Sequence, residues 1–280
     1  MPLTLLAKRS ERRMDGPVPD LSIFIIARNE ADRIGRTIEA VRGLSDDILV
    51  VDSGSTDATV SIAEGLGARV IHNPWPGYGP QKRFAEDHCR RLWLLNLDAD
   101  EVAPPDLVAE IRQAVGGAAP AVDGFRLKIA EVFPGEATPH PLAYALAPVR
   151  LYRRDRGRYA DSIVHDRVVF QNGARIGQLK GVIRHFSVRS IGEQMAKLNE
   201  YTDQQARDLA LRGESVPTWR LFVEFPISFF KAYVLRRHAV RGVYGFMTSM
   251  NYAFYRWLRV AKDVERRLRA RARRDGGGHV

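Results

Sequence analysis

An α/β fold, a mixed sheet flanked by helices with amphipathic helices at its C-terminus, is predicted by three features. Short, almost wholly apolar runs alternate with helical patterns through the first 115 residues. The most apolar of these runs, Leu92 to Leu97, stops abruptly at Asp98, Asp100 and Glu101. From Gly124 to Ala174 the pattern changes to short strand-like segments divided by turn signals. Runs apolar on both faces belong to parallel strands, and strands alternating with helices of about 10 to 15 residues imply right-handed βαβ crossovers.

Residues 1 to 20 carry Arg12, Arg13, Pro17 and Pro19 with no apolar period and read as a loose leader. LSIFIIA (Leu21 to Ala27) is the first strand; it runs into Arg28-Asn29-Glu30 and a helix with Ile34, Ile38 and Val41 on one face. ILVVD (Ile48 to Asp52) is the second strand, and SGSTD leads into a helix near Asp57. ARVIHN (Ala68 to Asn73) is a third strand, NPWPGYGP a Pro/Gly loop, Gln81 to Arg91 a helix, and Leu92 to Leu97 the fourth strand. A helix over Asp106 to Val115 follows Pro104 and Pro105. Next, GFRLKIAEVF, PVRLYRR and YADSIVHDRVVF read as antiparallel strands, with QNGA (Gln171 to Ala174) as a hairpin signal.

A helix is predicted from Ser190 to about Arg212. Beyond it, TWRLFVEFPISFFKAYVLRR is strongly aromatic, and Phe246, Met250, Phe254, Trp257 and Ala261 recur at helical spacing. Glu224 and Lys231 interrupt the first of these segments and Arg256 and Arg259 the second, so neither reaches the uninterrupted apolar length of a membrane span. The formal charge of the chain is +10, and Lys231 to Arg274 hold 13 Lys/Arg against 2 acidic residues, so the excess is concentrated here. Aromatic faces edged by arginine suit the headgroup layer of an anionic leaflet; the bland alternative is helices packed on the catalytic domain with solvated arginines. The organisation expected is a leader (1–20), a catalytic domain (21–189, with a nucleotide-binding half 21–115 and an acceptor half 116–189) and a basic, helical, membrane-associating region (190–275).

A single cysteine, Cys89, excludes an intramolecular disulfide and a cysteine-based zinc cluster, and reads as a packed small side chain. With no signal-peptide pattern at the N-terminus, a cytoplasmic protein, peripheral on the inner membrane face, is expected. The absence of GxGxxG and GxxxxGK[ST] leaves dinucleotide dehydrogenases and P-loop enzymes without a phosphate cradle; HExxH and G-x-S-x-G are also absent.

Asp98 and Asp100 are two residues apart at the end of a central strand. If the chain is still extended there, both side chains leave it on the same side and can share a hard divalent cation, Mg2+ or Mn2+. The alternative is that they end the strand and cap the next helix. Ligands of open α/β sheets bind beyond the carboxyl ends of the strands, where this pair belongs.

Three signatures then coincide in order: ARNE (Ala27 to Glu30), VDSGSTD (Val51 to Asp57) and LDADE (Leu97 to Glu101). Together they resemble the family 2 glycosyltransferases of the GT-A (Rossmann-like) fold. VRLYRR, VHDRV, IRHFSVRS…KLNEYT and GFMTSMNYAFYRW look like the lipopolysaccharide inner-core β-1,4-glucosyltransferase branch. The resemblance implies a nucleotide-sugar donor, a UDP-sugar first among them, held by Ala27, Arg28, Asn29, Glu30, Asp52, Ser53, Gly54, Gln81, Lys82, Asp98 and Ala99, with a metal on Asp98 and Asp100. Asp52 would accept from the ring N–H of the base or else form the turn before Ser53; Asp57 is equally a helix cap, and Arg83 a solvated residue or a diphosphate contact. His165 and His185 could complete the metal shell or orient a phosphate, or be satisfied structural histidines.

Departure of a nucleoside diphosphate would be assisted by the cation, and an inverting displacement needs one carboxylate to deprotonate the acceptor hydroxyl. The Glu-Asp pair usual in the family is not visible; Asp166 is the first candidate, Asp161 the second and Glu101 a distant third. The function expected is transfer of a hexose, with glucose as the candidate, to a lipid-linked saccharide at an anionic membrane surface. Nucleic acid is not an expected partner. The rivals are a sugar-1-phosphate nucleotidyltransferase, which ARNEADR fits poorly for want of a Gly-rich loop, and an RNA-binding protein using Arg266 to Arg274.

Overall fold

The structure, a computed structural model, describes residues 16–116, 122–162 and 167–276. The chain divides into two compact units, Met1–Ala130 with Leu146–His185, and Glu131–Ala145 with Phe186–Val280.

In the first unit the chain runs β1 (Leu21–Ala27), α1 (Ile34–Val41), β2 (Asp47–Asp52), α2 (Thr59–Gly65), β3 (Arg69–His72), α3 (Tyr78–His88), β4 (Trp93–Asp98), β5 (Glu101–Val102) and α4 (Pro105–Gly116). It continues through β6 (Gly124–Glu131), β7 (Ala145–Leu146), β8 (Val149–Arg153), β9 (Gly157–Tyr159), β10 (Val168–Phe170) and β11 (Ile176–His185). Among the described residues the main sheet is ordered β3-β2-β1-β4-β8-β6-β11-β5, with β7 on β6. The first four strands in that order are mutually parallel, and β8 joins β4 antiparallel, so the sheet is mixed as predicted.

Alternation along the strands explains why both faces are covered. Ile23, Ile25, Leu95 and Leu97 point into one core with the helix residues Ile34, Ile38, Leu107 and Ile111. Phe24, Leu49, Val51 and Leu94 point into the other with Ala85, Cys89, Tyr152 and Tyr159. Burial there pushes the Cys89 thiol up to about 12, so it stays a neutral packed side chain. The parallel register sets Ala27 beside Asp52 and Ile26 beside Asp98, which brings the carboxyl ends of β1, β2 and β4 level with one another.

Three expectations need correction. α3 starts at Tyr78, inside the predicted Pro/Gly loop, because Pro80 occupies the first helical turn, where its missing N–H leaves no bond unmade. The stretch read as one strand from Tyr159 to Phe170 holds two: β9 and β10 pair antiparallel in a separate small sheet, with Tyr159 opposite Val168. Gln171 to Ala174 does turn, with Gly173 at φ 80°, but it joins β10 to β11, which lie in different sheets, and closes no hairpin.

Gly79 fixes where the segment after β9 lies. Its N–H donates to the Ser162 carbonyl at 3.0 Å, and a Cβ there would stand 2.2 Å from the Ala160 carbonyl oxygen and 2.6 Å from that of Ser162. Backbone cannot yield as a flexible side chain can.

In the second unit α5 (Ile191–Leu211) begins at an N-cap, the Ser190 hydroxyl accepting from the Glu193 N–H at 3.1 Å. α6 (Arg220–Phe230) continues into a π-helical turn (Lys231–Leu235) and a 3-10 turn (His238–Arg241) before the 35-residue α7 (Gly242–Gly276). Arg241 is buried, donates to the Glu131 carbonyl at 3.0 Å and to Glu136, and lies over the Phe133 ring at 3.4 Å. The segment Glu131–Ala145, read from sequence as acceptor domain, therefore belongs to the helical unit. Asp263 on α7 accepts from the Val216 N–H at 2.9 Å and pairs with Arg266 at 2.6 Å. No helix among the described residues is long and apolar enough to cross a membrane.

Replacing Gly79 by Ala should destabilise the first unit by about 1–3 kcal/mol through overpacking, seen as a fall of several degrees in Tm; an unchanged Tm would contradict the contact geometry. Asp263 offers a second check. Burial would raise its carboxyl, but the Val216 N–H and the Arg266 and Arg267 charges together hold it below 3.8. A folded-state value below the unfolded one contributes stability that is complete above about pH 3.9 and lost as the pH falls through the folded value. Acid titration followed by circular dichroism should show this loss of helix, and Asp263→Asn should lower stability at neutral pH while flattening the acid limb.

Candidate active site

The level ends of β1, β2 and β4 carry three short loops that are tied to one another. Asn29 adopts a positive φ of 56°, and its side-chain oxygen accepts from the Thr56 N–H at 2.8 Å while its own N–H donates to the Ser55 hydroxyl at 2.9 Å. Asp57 accepts from the Thr59 N–H at 3.0 Å and from the Ala31 N–H at 3.2 Å, so it caps α2 and also staples the ARNE loop to it. Glu30 accepts from Arg33 Nε at 2.6 Å, and the Glu30 N–H donates to the Thr59 hydroxyl at 2.8 Å. Arg28 is exposed at the mouth.

Asp52 is buried, and both of its oxygens face its own loop. They accept from the Gly54 and Ser55 N–H groups at 2.9 Å each and from the Ser55 hydroxyl at 2.5 Å. Gly54 reaches the φ of 91° this needs. The turn-forming reading of Asp52 is thus what its contacts express. Ser53 accepts from Gln81 Nε2 at 2.9 Å, and Gln81 is fully buried, bonded also to Asn73 at 2.6 and 3.1 Å. Gln81 therefore positions the loop from within.

Asp98 and Asp100 do not share one side of an extended strand. β4 ends at Asp98, the chain turns at Ala99 and Asp100, and the Glu101 carboxylate closes that turn by accepting the Asp98 N–H at 3.0 Å. The two carboxylates consequently face different partners. Asp98 receives Lys82 Nζ at 3.1 Å and an Arg150 guanidinium nitrogen at 2.9 Å. Asp100 lies 3.3 Å from His185 Nε2 on one oxygen and 3.4 Å from Arg33 on the other. Register explains the histidine: in the antiparallel pair of β11 and β5, His185 is opposite Glu101, next to Asp100. Ala99 is buried, and its carbonyl accepts from the Thr37 hydroxyl at 2.8 Å.

Electrostatics follow from those partners. Burial would raise the Asp98 carboxyl, but Arg150 and Lys82 overrule it and hold it far below the usual range. Burial likewise opposes ionisation of Asp100, which the His185 hydrogen bond and charge nevertheless keep ionised. Glu101 is raised instead, because its burial, with Asp98 as a negative neighbour, outweighs the Arg150 and His185 charges and the Asp98 N–H. It is 1% exposed, with one oxygen 3.0 Å from Arg150 and the other on the Asp98 N–H, so it is unsuited to be an acceptor base. Lys82 is 0% exposed and its ammonium pairs with Asp98 at 3.1 Å; Arg83 donates to the Tyr159 carbonyl at 3.0 Å. Asp161 is exposed beside the Gly79 contact. His165 and Asp166 lie outside the described residues.

Three site residues were missed in sequence: Arg33, Thr37 and, above all, Arg150. Arg150 is 7% exposed and binds Asn96, Asp98 and Glu101 at once. A single charge at an inward position of the strand VRLY was its only local signal.

Comparison with known proteins adds the family. The profile described as glycosyl transferase family 2 matches residues 22–175. An uncharacterized glycosyltransferase of Rickettsia felis is 39% identical over 261 residues, covering 90% of this chain and 92% of that one. The lipopolysaccharide core biosynthesis glycosyltransferase LpsC of Rhizobium meliloti is 31% identical over 271 residues, 91% of this chain and 96% of its own. Among solved structures, a mannosyltransferase of Pyrobaculum calidifontis in complex with GDP-Man and Mn2+ superposes with a TM-score of 0.50 at 15% identity, covering 88% of this chain and 87% of that one, a likeness of fold. With the profile spanning more than half of the sequence and relatives aligned over nine-tenths of it, the chain belongs to glycosyltransferase family 2, has the GT-A fold, and is a glycosyltransferase resembling the lipopolysaccharide-core branch.

Proposed function

We propose that the enzyme is a metal-dependent, inverting hexosyltransferase that takes its sugar, with glucose the candidate, from a UDP-sugar and passes it to a lipid-linked saccharide such as lipopolysaccharide core. Work at the cytoplasmic face of the inner membrane follows from that acceptor. The observation that carries the reading is the placement of Asp100 and His185, 3.3 Å apart, beyond the carboxyl end of the central strand β4.

A carboxylate oxygen and an imidazole nitrogen at that separation are bridged either by a proton or by a cation, and neighbouring ligands of one octahedral ion lie about 3 Å apart. Arg33 lies 2.6 Å from Glu30 and 3.4 Å from Asp100. The donor set therefore fits Mg2+ or Mn2+ on Asp100 and His185. Asp98, already paired with Lys82 and Arg150, then acts by orienting the turn and accepting donor hydroxyls on its exposed edge. When bound, the cation would act as a Lewis acid toward the leaving diphosphate.

The chain's own residues supply the rest. Arg28, exposed at the end of β1, can reach a phosphate, and the Asn29, Ser55 and Thr56 loops form a wall for the nucleoside. The acceptor hydroxyl must lose its proton to a carboxylate on the opposite side of the anomeric carbon, a role assigned to Asp166 with Asp161 second. The named role of the Rhizobium meliloti relative in lipopolysaccharide core biosynthesis supports the acceptor class, and exposed Phe222, Ile227 and Phe230 on α6 support a membrane surface.

Calorimetric titration with UDP, GDP, CDP and dTDP, each with and without Mn2+, should give Mn2+-dependent binding of UDP. Asp100→Ala and His185→Ala should each remove the Mn2+-dependent component and slow transfer by about a hundredfold or more with the circular dichroism unchanged. Normal turnover in Asp100→Ala would end the metal reading.

A further inference from the structure

α6 and α7 run antiparallel in the second unit, with the Trp257 indole donating to the Leu221 carbonyl at 3.1 Å and Phe229 against Phe246 at 5.6 Å. Between them is a cavity of about 250 Å³ lined by Trp219, Arg220, Glu224, Lys231, Tyr252 and Arg256 among others. Helical spacing builds it: positions 220, 224, 227 and 231 share one face of the α6 helix and its π-helical extension, and 252, 256 and 259 share one face of α7.

The charges in it do not balance. Glu224 is buried, with one oxygen 2.8 Å from Arg220 Nε and the other 3.0 Å from Arg256 Nε, so two guanidiniums already converge on a single carboxylate. Lys231 opens onto the same cavity without an ion pair among the described residues. Arg259 stands next to them, its Nε buried with no hydrogen-bond partner. Burial, with the Arg256 charge beside it, pulls its guanidinium below the ordinary value. Three cations, Arg220, Lys231 and Arg256, thus line the recess around one anion with Arg259 beside them, and a further anion relieves their mutual repulsion. At the rim of the recess, the lining residues Trp219 and Ile227 are 63% and 62% exposed, large apolar side chains that water does not favour.

We propose that this pocket binds the phosphate of an anionic lipid headgroup, with Trp219 and Ile227 at its rim entering the acyl boundary. Charge complementarity selects the headgroup, and the apolar rim selects a lipid over a soluble phosphate, since only a bilayer offers both chemistries at one surface. The site deepens the membrane reading above but does not use the donor site, so vesicle binding and nucleotide titration fail independently.

The test is co-sedimentation of the full chain, without nucleotide, with vesicles of phosphatidylcholine alone and of phosphatidylcholine containing phosphatidylglycerol. Binding to the second and not the first is expected. Lys231→Gln alone should weaken it about fivefold, and Lys231→Gln with Arg256→Gln about tenfold or more. Arg237→Gln with Arg273→Gln removes the same charge outside the pocket and should weaken it less than about threefold. Because Lys231 is exposed and without an ion pair among the described residues, its variant keeps the test valid if the double variant misfolds. Equal binding to neutral vesicles, equal weakening by both double variants, or unchanged binding by Lys231→Gln would each overturn the proposal. So would stabilisation by inorganic phosphate with no vesicle binding, which would assign the pocket to a free phosphate.

Discussion

The sheet end that carries the candidate active site depends on one buried guanidinium. Arg150 holds Asp98 at 2.9 Å and Glu101 at 3.0 Å and donates to the side-chain oxygen of Asn96, itself tied to Tyr159 at 2.7 Å and to the β1 backbone at 3.3 Å. Two carboxylates this close in a low-dielectric site could not both remain near the strand end without a cation between them. Loss of that cation would leave buried charge uncompensated, the costliest way to break such a network, at about 3–5 kcal/mol. Lys82 then divides the pair: it sits on Asp98 and not on Glu101, so Asp98 is held firmly ionised while Glu101 is pushed upward. Glu101 is thereby a structural acceptor for the turn, and Asp100, displaced by that turn, is the carboxylate left to face His185.

The same logic of internal satisfaction governs the nucleotide loops. Asp52, Asp57 and Asn29 accept hydrogen bonds from neighbouring backbone. A loop whose polar groups are already bonded loses little further freedom when a ligand arrives, which is how short strand-end loops become a preorganised wall. Gln81 performs this from below, joining Ser53 to Asn73 through one amide. The motif residues thus act mostly on one another, while Arg28 and Asn29 stay exposed at the strand ends.

Strand positions were readable because a doubly buried strand must be apolar at every position, a local property. The central strands begin and end within a residue of expectation, and the carboxyl ends of β1, β2 and β4 are level as their shared motif positions imply. What sequence could not supply were partners across long separations. Arg150 meets Asp98 52 residues away and Arg33 meets Asp100 67 away, through sheet order and helix placement that no local pattern encodes. That His185 stands beside Asp100 is likewise set by the β11–β5 register, which no local pattern encodes. The same limit explains Tyr159 to Phe170: its apolar pattern fits one strand as well as two, and the choice is made by pairing and by the close approach at Gly79.

Net charge is a poor measure of what the basic C-terminal region offers. Many of its arginines are consumed internally: Arg266 and Arg267 on Asp263, Arg269 on Glu265, and Arg241 on Glu136 and the Phe133 ring. These pairs hold the helical unit together and leave little field outside it. What distinguishes the α6–α7 recess is that its cations outnumber the acids within reach, so their field is not cancelled locally, and that the surplus adjoins exposed apolar side chains. A diffuse polybasic tail attracts any polyanion, nucleic acid included. A recessed surplus beside an apolar rim is more selective, since an aqueous polyanion would leave the rim unburied and a neutral bilayer would leave the surplus unpaired.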